Sequence, residues 1–401
     1  MKLLFIGGYY PQKHKELFVK QSKVGLDFAA HNLQEALFKG FDENNLDYTV
    51  LNAPFLGSFP FFNKLLFVPP YFSDNRKIRS ISYVNLLYYK RLDIRRKIKC
   101  QIFKWCQETE KETNRTIFLY NFSTLPLTKK IKKSYPDIKI VLLVTDLPEY
   151  MAADNKLLTR LNTKISNVFE KKDDNKLYKN IDAYMLLSSY MQERLPIEKR
   201  PCIIIEGIYN PSEDNIKQPV KESYKTILYT GNLGKRYGIL DLLECFSRIE
   251  NENYRLWICG TGEALDDVKN YQQMDTRIKY FGMLSREDVI FLQKQATILI
   301  NPRHSRDEYT KYSFPSKTME YMASGTPTLM SRLACLPDDY ESFLYLFDDE
   351  SIDGMKLKIL EVCEKSNEEL NDFGKRAKLF INSKKTPAFQ CEKIIEFLSH
   401  L

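Results

Sequence analysis

The sequence predicts an α/β fold built from two doubly wound domains that face a cleft. Three observations predict it. Short apolar stretches alternate with longer amphipathic ones along the whole chain, which is the pattern of parallel strands wrapped by helices. The alternation pauses once, in the turn-rich polar stretch 207–214, and then resumes with a second set of similar size. Glycine turns follow several of the strands, and in doubly wound sheets ligands sit at the carboxyl ends of strands.

In the first set, strands are expected at 3–6, 48–51, 116–120, 138–144, 183–187 and 202–205, with helices at 27–38 and 125–133. In the second, strands are expected at 226–229, 254–259, 278–281, 297–300, 326–330 and 343–347. The resulting organisation is an N-terminal domain over 1–206, a linker over 207–222, a C-terminal domain over 223–385, and a C-terminal helix over 386–401 able to pack back on the N-terminal domain. No short-period repeat is present, which excludes a solenoid.

Composition bounds the rest. A chain of 401 residues with 43% hydrophobic and 28% charged residues has the make-up of a folded protein, and disordered or fibrous classes are excluded. Its longest apolar runs fall far short of the roughly 18 residues that span a bilayer. Met1 leads straight into a strand, so neither a transmembrane helix nor a signal peptide is expected. Eight scattered cysteines form no Cys-x-x-Cys pair and the four histidines lie apart from them, which predicts a reduced, cytoplasmic protein without a zinc site.

Charge is unevenly distributed. Residues 1–200 hold 34 Lys and Arg against 21 Asp and Glu, a net +13, whereas 201–401 hold 26 against 31, a net −5. The excess concentrates at 76–104, from Arg76 to Lys104, just after the aromatic, proline-broken runs Phe59-Pro60-Phe61-Phe62 and 65–72. Aromatic rings settle at the headgroup level while Lys and Arg meet anionic lipid, so the stretch fits a peripheral contact with an anionic membrane. A solvated helix face beside a buried loop accounts for the same residues. No recognition motif accompanies the charge, and no nucleic-acid partner is expected.

Chemistry is expected in the post-strand loops. Gly7-Gly8-Tyr9-Tyr10-Pro11 follows the first strand; missing side chains there let a ligand approach the backbone, and a plain tight turn is the other reading. His31 and Asn32, near the start of the next helix, could face the cleft, but a lone histidine is more often structural. In the second set, Thr230-Gly231-Asn232-Leu233-Gly234-Lys235-Arg236-Tyr237-Gly238 runs from a strand into a helix. Its glycines free the backbone, Lys235 and Arg236 supply charge and a helix start adds oriented amides, which suits an anionic diphosphate. It lacks the Gly-Lys-Ser/Thr ending of a Walker loop. Gly260-Thr261-Gly262 and Gly282-Met283-Leu284 follow the next two strands, and three such loops in succession point to a nucleotide-diphosphate site.

The most specific segment runs from Asn301-Pro302-Arg303 to Pro327. Pro315 suits a first helical turn, Gly325 the position just past a helix end, and Pro327 prevents continuation, so a short helix is expected between them. Its N-terminus presents Ser316 and neighbouring amides to an anion, while Glu320 lies about one turn deeper, where it can accept both hydroxyls of a ribose.

This segment resembles the retaining glycosyltransferases of the GT-B fold, in particular the large family four that builds bacterial capsular and lipid-linked polysaccharides. The signature of that family places two glutamates eight positions apart before Met-Ala-x-Gly-x-Pro. Here Met322-Ala323-Ser324-Gly325-Thr326-Pro327 matches that stretch, Glu320 matches the second glutamate, and Tyr312 stands where the first, which contacts the transferred sugar, would be. Ser313-Phe314-Pro315-Ser316-Lys317 is similar to a subgroup in which the first acid is commonly missing. The 231–238 loop resembles the family's diphosphate grip, with Lys235 and Arg236 the nearest cations, and the loops at Gly262 and at Met283-Leu284 resemble those cradling the base. Gly7-Gly8 resembles the loop that reaches the phosphate and the acceptor. Val144-Thr145-Asp146-Leu147-Pro148-Glu149 resembles a loop in which histidine usually precedes the aspartate; Thr145 takes its place.

The resemblance implies two Rossmann-like domains and transfer of a sugar from a nucleotide diphosphate, a UDP-sugar favoured, to a saccharide or lipid-linked saccharide with retention, in surface polysaccharide synthesis. It implies Asp146, Lys235 and Arg236 as catalytic residues, and Gly7, Gly8, Gly231, Gly234, Gly262, Met283, Leu284, Ser316, Lys317 and Glu320 as the donor-binding set. It implies no metal and no cofactor, a front-face mechanism without a covalent nucleophile, and a place in the cytoplasm, at the inner face of the membrane. Two other functions stay open: a nucleotide-sugar epimerase on the same fold, and a catalytically silent scaffold, for which Tyr312 and Thr145 speak.

Overall fold

Strands whose residues are apolar on both faces can only be covered on both sides, and this is how both sheets are built. The computed structural model describes residues 1–11, 14–67, 77–120, 122–147, 149–150, 174–211 and 219–401. Val68 to Phe72 and Arg76 of the aromatic and basic stretch, Pro148, and Ser212 to Asp214 within the expected linker lie outside the described residues. Two units divide the chain: Met1–Ile208 with Pro387–Leu401, and Tyr209–Thr386.

The first unit contains, in order, β1 (Lys2–Gly7), α1 (Lys15–Gln21), α2 (Phe28–Glu43), β2 (Asp47–Asn52), β3 (Leu66–Phe67), β4 (Ile78–Ser80), β5 (Tyr83–Val84), α3 (Tyr89–Glu108), β6 (Arg115–Tyr120), α4 (Leu125–Ser134), β7 (Lys139–Val144), α5 (Asp174–Tyr178), β8 (Ala183–Leu186) and β9 (Cys202–Ile204). Seven strands form a parallel sheet in the order β4-β2-β1-β6-β7-β8-β9, so the order reverses between β1 and β6. β6 is buried at every residue and β7 at all but its first. α2 starts at Asp27, whose side chain accepts the Ala30 amide at 2.9 Å, and buries Leu37, Phe38 and Phe41 against Phe5, Tyr48 and Val50.

The second unit contains β10 (Lys225–Asn232), α6 (Ile239–Ser247), β11 (Tyr254–Thr261), α7 (Leu265–Met274), β12 (Ile278–Tyr280), α8 (Arg286–Gln295), β13 (Ile298–Asn301), α9 (Lys317–Ser324), β14 (Thr328–Met330), β15 (Tyr345–Leu346), α10 (Ile352–Cys363) and α11 (Asn367–Lys384). Its parallel sheet has the order β12-β11-β10-β13-β14-β15 and reverses between β10 and β13. A capping box fixes the start of α11, where the Ser366 side chain accepts the Glu369 amide and Glu369 accepts that of Ser366. The last helix, α12 (Pro387–Ser399), lies on α2 of the first unit, with Asn44 Nδ2 donating to the Ala388 carbonyl at 2.9 Å and Cys391 buried beneath Leu37.

Several elements depart from the sequence reading. The stretch 343–347 shortens to β15 because residues 338–343 take a 3-10 turn, and 326–330 begins as a strand only after Pro327. The basic stretch is helical from Tyr89 onward, but Ile78–Ser80 pairs with Val50–Asn52 as the edge strand β4. β3 and β5 form a separate antiparallel pair over a small cluster of Tyr10, Phe18, Leu56, Phe62, Phe67 and Tyr83.

Candidate active site

A parallel sheet opens a crevice where its strand order reverses, because the flanking connections leave to opposite sides. In the second unit that point lies between β10 and β13, and the loops following them meet there. Gly238, at φ +77°, ends the loop after β10, and a side chain there would bring its Cβ to 2.0 Å from the Pro302 carbonyl oxygen. Only glycine serves on both counts.

The two cations of this loop are held differently. Lys235 Nζ lies 3.3 Å from Asp267 on α7, with the side chains 47% and 38% exposed. Arg236 donates from Nη2 to the Tyr237 hydroxyl at 2.7 Å, and its guanidinium carbon lies 4.9 Å from the Tyr237 ring centre and 5.6 Å from that of Tyr309. Tyr309 in turn donates to the Arg236 carbonyl at 2.9 Å. Arg236 is therefore seated and Lys235 is drawn toward α7.

The three glycine loops are joined by backbone hydrogen bonds. Leu233 N donates to the Thr261 carbonyl at 2.9 Å, Ala264 N to that of Leu233 at 2.9 Å, and Gly260 N to that of Gly282 at 2.9 Å. Gly231, Gly234, Gly262, Met283 and Leu284 thus share one end of the sheet. Met283 is 73% exposed there, while Leu284 packs beside Trp257 and Phe281.

α9 supplies the remaining donor-side candidates. It begins two residues after Pro315, carries no side-chain cap at the exposed Ser316, and ends on Gly325 at φ +81°. The Tyr321 hydroxyl fastens it to the end of β10, accepting from Thr230 N at 2.8 Å and donating to Thr230 O at 2.9 Å. Glu320 Oε1 accepts from Lys317 Nζ at 2.8 Å and from Gln293 Nε2 at 2.7 Å. Burial alone would raise the Glu320 carboxyl, but the Lys317 charge and these two hydrogen bonds outweigh it and hold it below the usual carboxylate range. Glu320 is therefore an anion, 18% exposed. Gln293 is fully buried on α8, and its Oε1 has no hydrogen-bond partner.

Tyr312, in place of the first signature glutamate, is buried at 4% exposure; Glu308 lies exposed on the preceding 3-10 turn. Sequence reasoning also missed His304, a buried residue whose Nε2 is hydrogen-bonded to Asp241. The adjacent Ser305 amide donates to Glu350 Oε2 at 2.9 Å, so the loop after β13 is pinned from two sides. A histidine and two acids so far apart in sequence give no local signal. Among the described residues no group of three His, Cys, Asp or Glu side chains is arranged to hold a metal ion.

Gly7, Gly8 and Asp146 belong to the first unit. A side chain at Gly7 would meet Gln34 Oε1 at 2.2 Å and one at Gly8 the Phe55 ring at 2.4 Å, while the Gly8 amide already donates to Gln34 Oε1 at 2.9 Å. A Cβ at either position would meet the protein's own side chains, so packing by itself calls for glycine at both. Asp146 is exposed just beyond β7, with Thr145 buried before it. His31 is fully buried, its Nδ1 accepting the Tyr10 amide at 3.3 Å, and burial followed by the Lys15 charge lowers it to about 4.

Residues 211–380 match the family described as glycosyl transferases, group 1. No curated protein matches the sequence. Among solved structures, a sucrose-phosphate synthase from Thermosynechococcus elongatus aligns over 100% of this chain and 99% of its own at 13% identity and a TM-score of 0.62. The lipopolysaccharide outer core galactosyltransferase WaaB aligns over 100% of both chains at 14% identity and a TM-score of 0.61. Anabaena HepE, solved with UDP, aligns over 100% of both at 11% identity and a TM-score of 0.58. The chain thus has the α/β fold of GT-B glycosyltransferases, and its residues 211–380 are similar to the glycosyl transferases of group 1.

Proposed function

We propose that the protein transfers a sugar from a nucleotide diphosphate, with UDP-sugars favoured, to a saccharide or lipid-linked saccharide, retaining the anomeric configuration and without a metal ion. The observation that carries this reading is the arrangement around Glu320. An anionic carboxylate with both its protein hydrogen bonds on Oε1 stands behind an uncapped helix start, at the reversal of a parallel sheet. Oε2 is the oxygen for ribose hydroxyls, and the amides of α9 face the phosphates.

In the reaction the bond from the anomeric carbon to the diphosphate oxygen breaks, and one to the acceptor oxygen forms. The acceptor proton leaves with the diphosphate. Negative charge grows on the leaving group, so the seated Arg236 and the helix-end amides stabilise the transition state more than the ground state. Lys235 contributes once it swings from Asp267, and an exposed pair of that kind holds it by only about 0–1 kcal/mol. Asp146 is the remaining catalytic candidate, on the acceptor-side unit.

The membrane side of this reading has its own support. Leu65, Leu66, Leu86, Tyr88 and Leu92 are 47–63% exposed, around the β3–β5 pair and the first turn of α3. Exposed Arg91 and Arg96 stand beside them, which suits an anionic membrane surface and an acceptor in lipid, as surface polysaccharide synthesis at the inner membrane face requires.

Calorimetric titration with uridine, guanosine and adenosine diphosphates tests the donor assignment. Selective binding of one supports it and names the donor to try with lipid acceptors; binding of none overturns it. Turnover of one nucleotide sugar into another without acceptor would instead make the protein an epimerase.

A further inference from the structure

We propose that Arg303 binds the donor's diphosphate together with Arg236, an assignment that rests on the donor reading above. Arg303 follows Pro302 in the loop after β13, and Tyr237 precedes Gly238 in the loop after β10. These loops border the crevice where the sheet order reverses, and the contact of Gly238 with the Pro302 carbonyl leaves no room between them. The Arg303 guanidinium carbon lies 4.6 Å from the Tyr237 ring centre, and that of Arg236 lies 4.9 Å from the same ring. One phenol therefore gathers two guanidinium groups from two different loops.

How each cation is held decides what it can still do. Lys235 is paired with Asp267 and Lys317 with Glu320, so both spend charge on a carboxylate of the protein. Arg303 has no carboxylate partner among the described residues, and its seat is the face of a ring. Stacking on an aromatic face orients a guanidinium without consuming its five N–H donors, which remain available as a planar fork for phosphate oxygens.

Two guanidinium groups gathered at one ring from two loops can grip oxygens of a single anion together. A diphosphate supplies that anion, with oxygens enough for two forks.

The position of Arg303 is also fixed in advance. Its neighbour His304 is bonded to Asp241 and the Ser305 amide to Glu350, so the backbone just after Arg303 is anchored twice. A site set before the ligand arrives costs little reorganisation, as leaving-group stabilisation requires.

The test compares wild type with Arg303→Lys and Arg303→Met by titrating uridine, guanosine and adenosine as nucleosides, monophosphates and diphosphates. For the base that wild type selects, Arg303→Met should weaken the diphosphate at least about tenfold and leave the nucleoside within about twofold. Arg303→Lys keeps the charge but not the fork and should fall between. Equal diphosphate affinity in wild type and Arg303→Met overturns the assignment. So does an equal loss of nucleoside and diphosphate, which would mark a packing role. Wild type that binds no nucleotide at all overturns the donor reading, and the Arg303 assignment falls with it.

Discussion

Gln293 holds Glu320: the amide nitrogen on α8 donates to Oε1 at 2.7 Å, from a side chain with no exposure to solvent. The carboxylate on α9 is thereby set in one rotamer, with its second oxygen directed elsewhere. Glu320→Ala should weaken binding of the preferred nucleoside diphosphate by roughly 1.5–3 kcal/mol, the scale of a hydrogen bond to a charged group. The 2′-deoxy nucleotide supplies the control, because wild type should bind it less tightly and Glu320→Ala should bind both forms alike. Unchanged affinity in the variant would remove the ribose assignment.

The pairing of Lys235 with Asp267 makes a second prediction. An exposed ion pair is worth little, so Asp267→Asn should leave thermal stability nearly unchanged while releasing Lys235 toward an anion. Nucleoside diphosphate affinity should rise by up to about fivefold, on the scale of a pair worth about 1 kcal/mol. A fall in affinity would show that Lys235 acts from its place beside Asp267.

How far the sequence could be read follows from where each signal is encoded. β7 was legible because a strand covered on both faces must be apolar throughout, and the short helix α9 was legible because Gly325 and Pro327 end it locally. β4 was not. Its three half-buried residues take their register from Val50–Asn52, and nothing in Ile78-Arg79-Ser80 announces a strand. The candidate site divides in the same way. Glycine loops and Glu320 stand out in one dimension, but the partners that define them, Asp267 for Lys235, Gln293 for Glu320 and Tyr309 for Arg236, lie on other elements. Gly7 and Gly8 show the converse, since their sequence signal is clear while the close packing of Gln34 and Phe55, which also calls for glycine there, lies on distant residues.

His31 predicts an acid-side loss of stability. Burial, and after it the charge of Lys15, lowers the imidazole from 6.5 to about 4, although Glu35 lies 3.7 Å from Nε2 and pulls the other way. The neutral ring is the form the fold accepts, with Nδ1 taking the Tyr10 amide. As pH falls below 6.5 the unfolded chain gains a proton that the folded chain refuses until about 4, so stability is full above 6.5 and is lost across that window. The loss approaches roughly 3 kcal/mol. Urea unfolding of wild type and His31→Asn at neutral pH and near pH 4 should show the wild type losing more by about that amount. Equal losses would place a charged histidine in the native fold.

The exposed apolar side chains around α3 predict a membrane contact with two separable parts. Arg91 and Arg96 act through screened charge, so binding to vesicles containing anionic lipid should weaken steeply by about 0.5 M salt, where the Debye length is only a few ångström. Leu65, Leu66, Leu86 and Leu92 act by burial, which salt does not screen. Already about half covered, each gains roughly 1 kcal/mol on entering the interface. Leu86→Ser with Leu92→Ser should therefore cut vesicle affinity roughly thirtyfold at low salt and by about the same factor in what persists at high salt. Flotation of wild type and double variant, at both salt concentrations and with neutral vesicles beside anionic ones, separates the parts. Binding of the double variant equal to wild type would confine the contact to the basic side chains, and no binding of wild type to either vesicle would return the face to solvent.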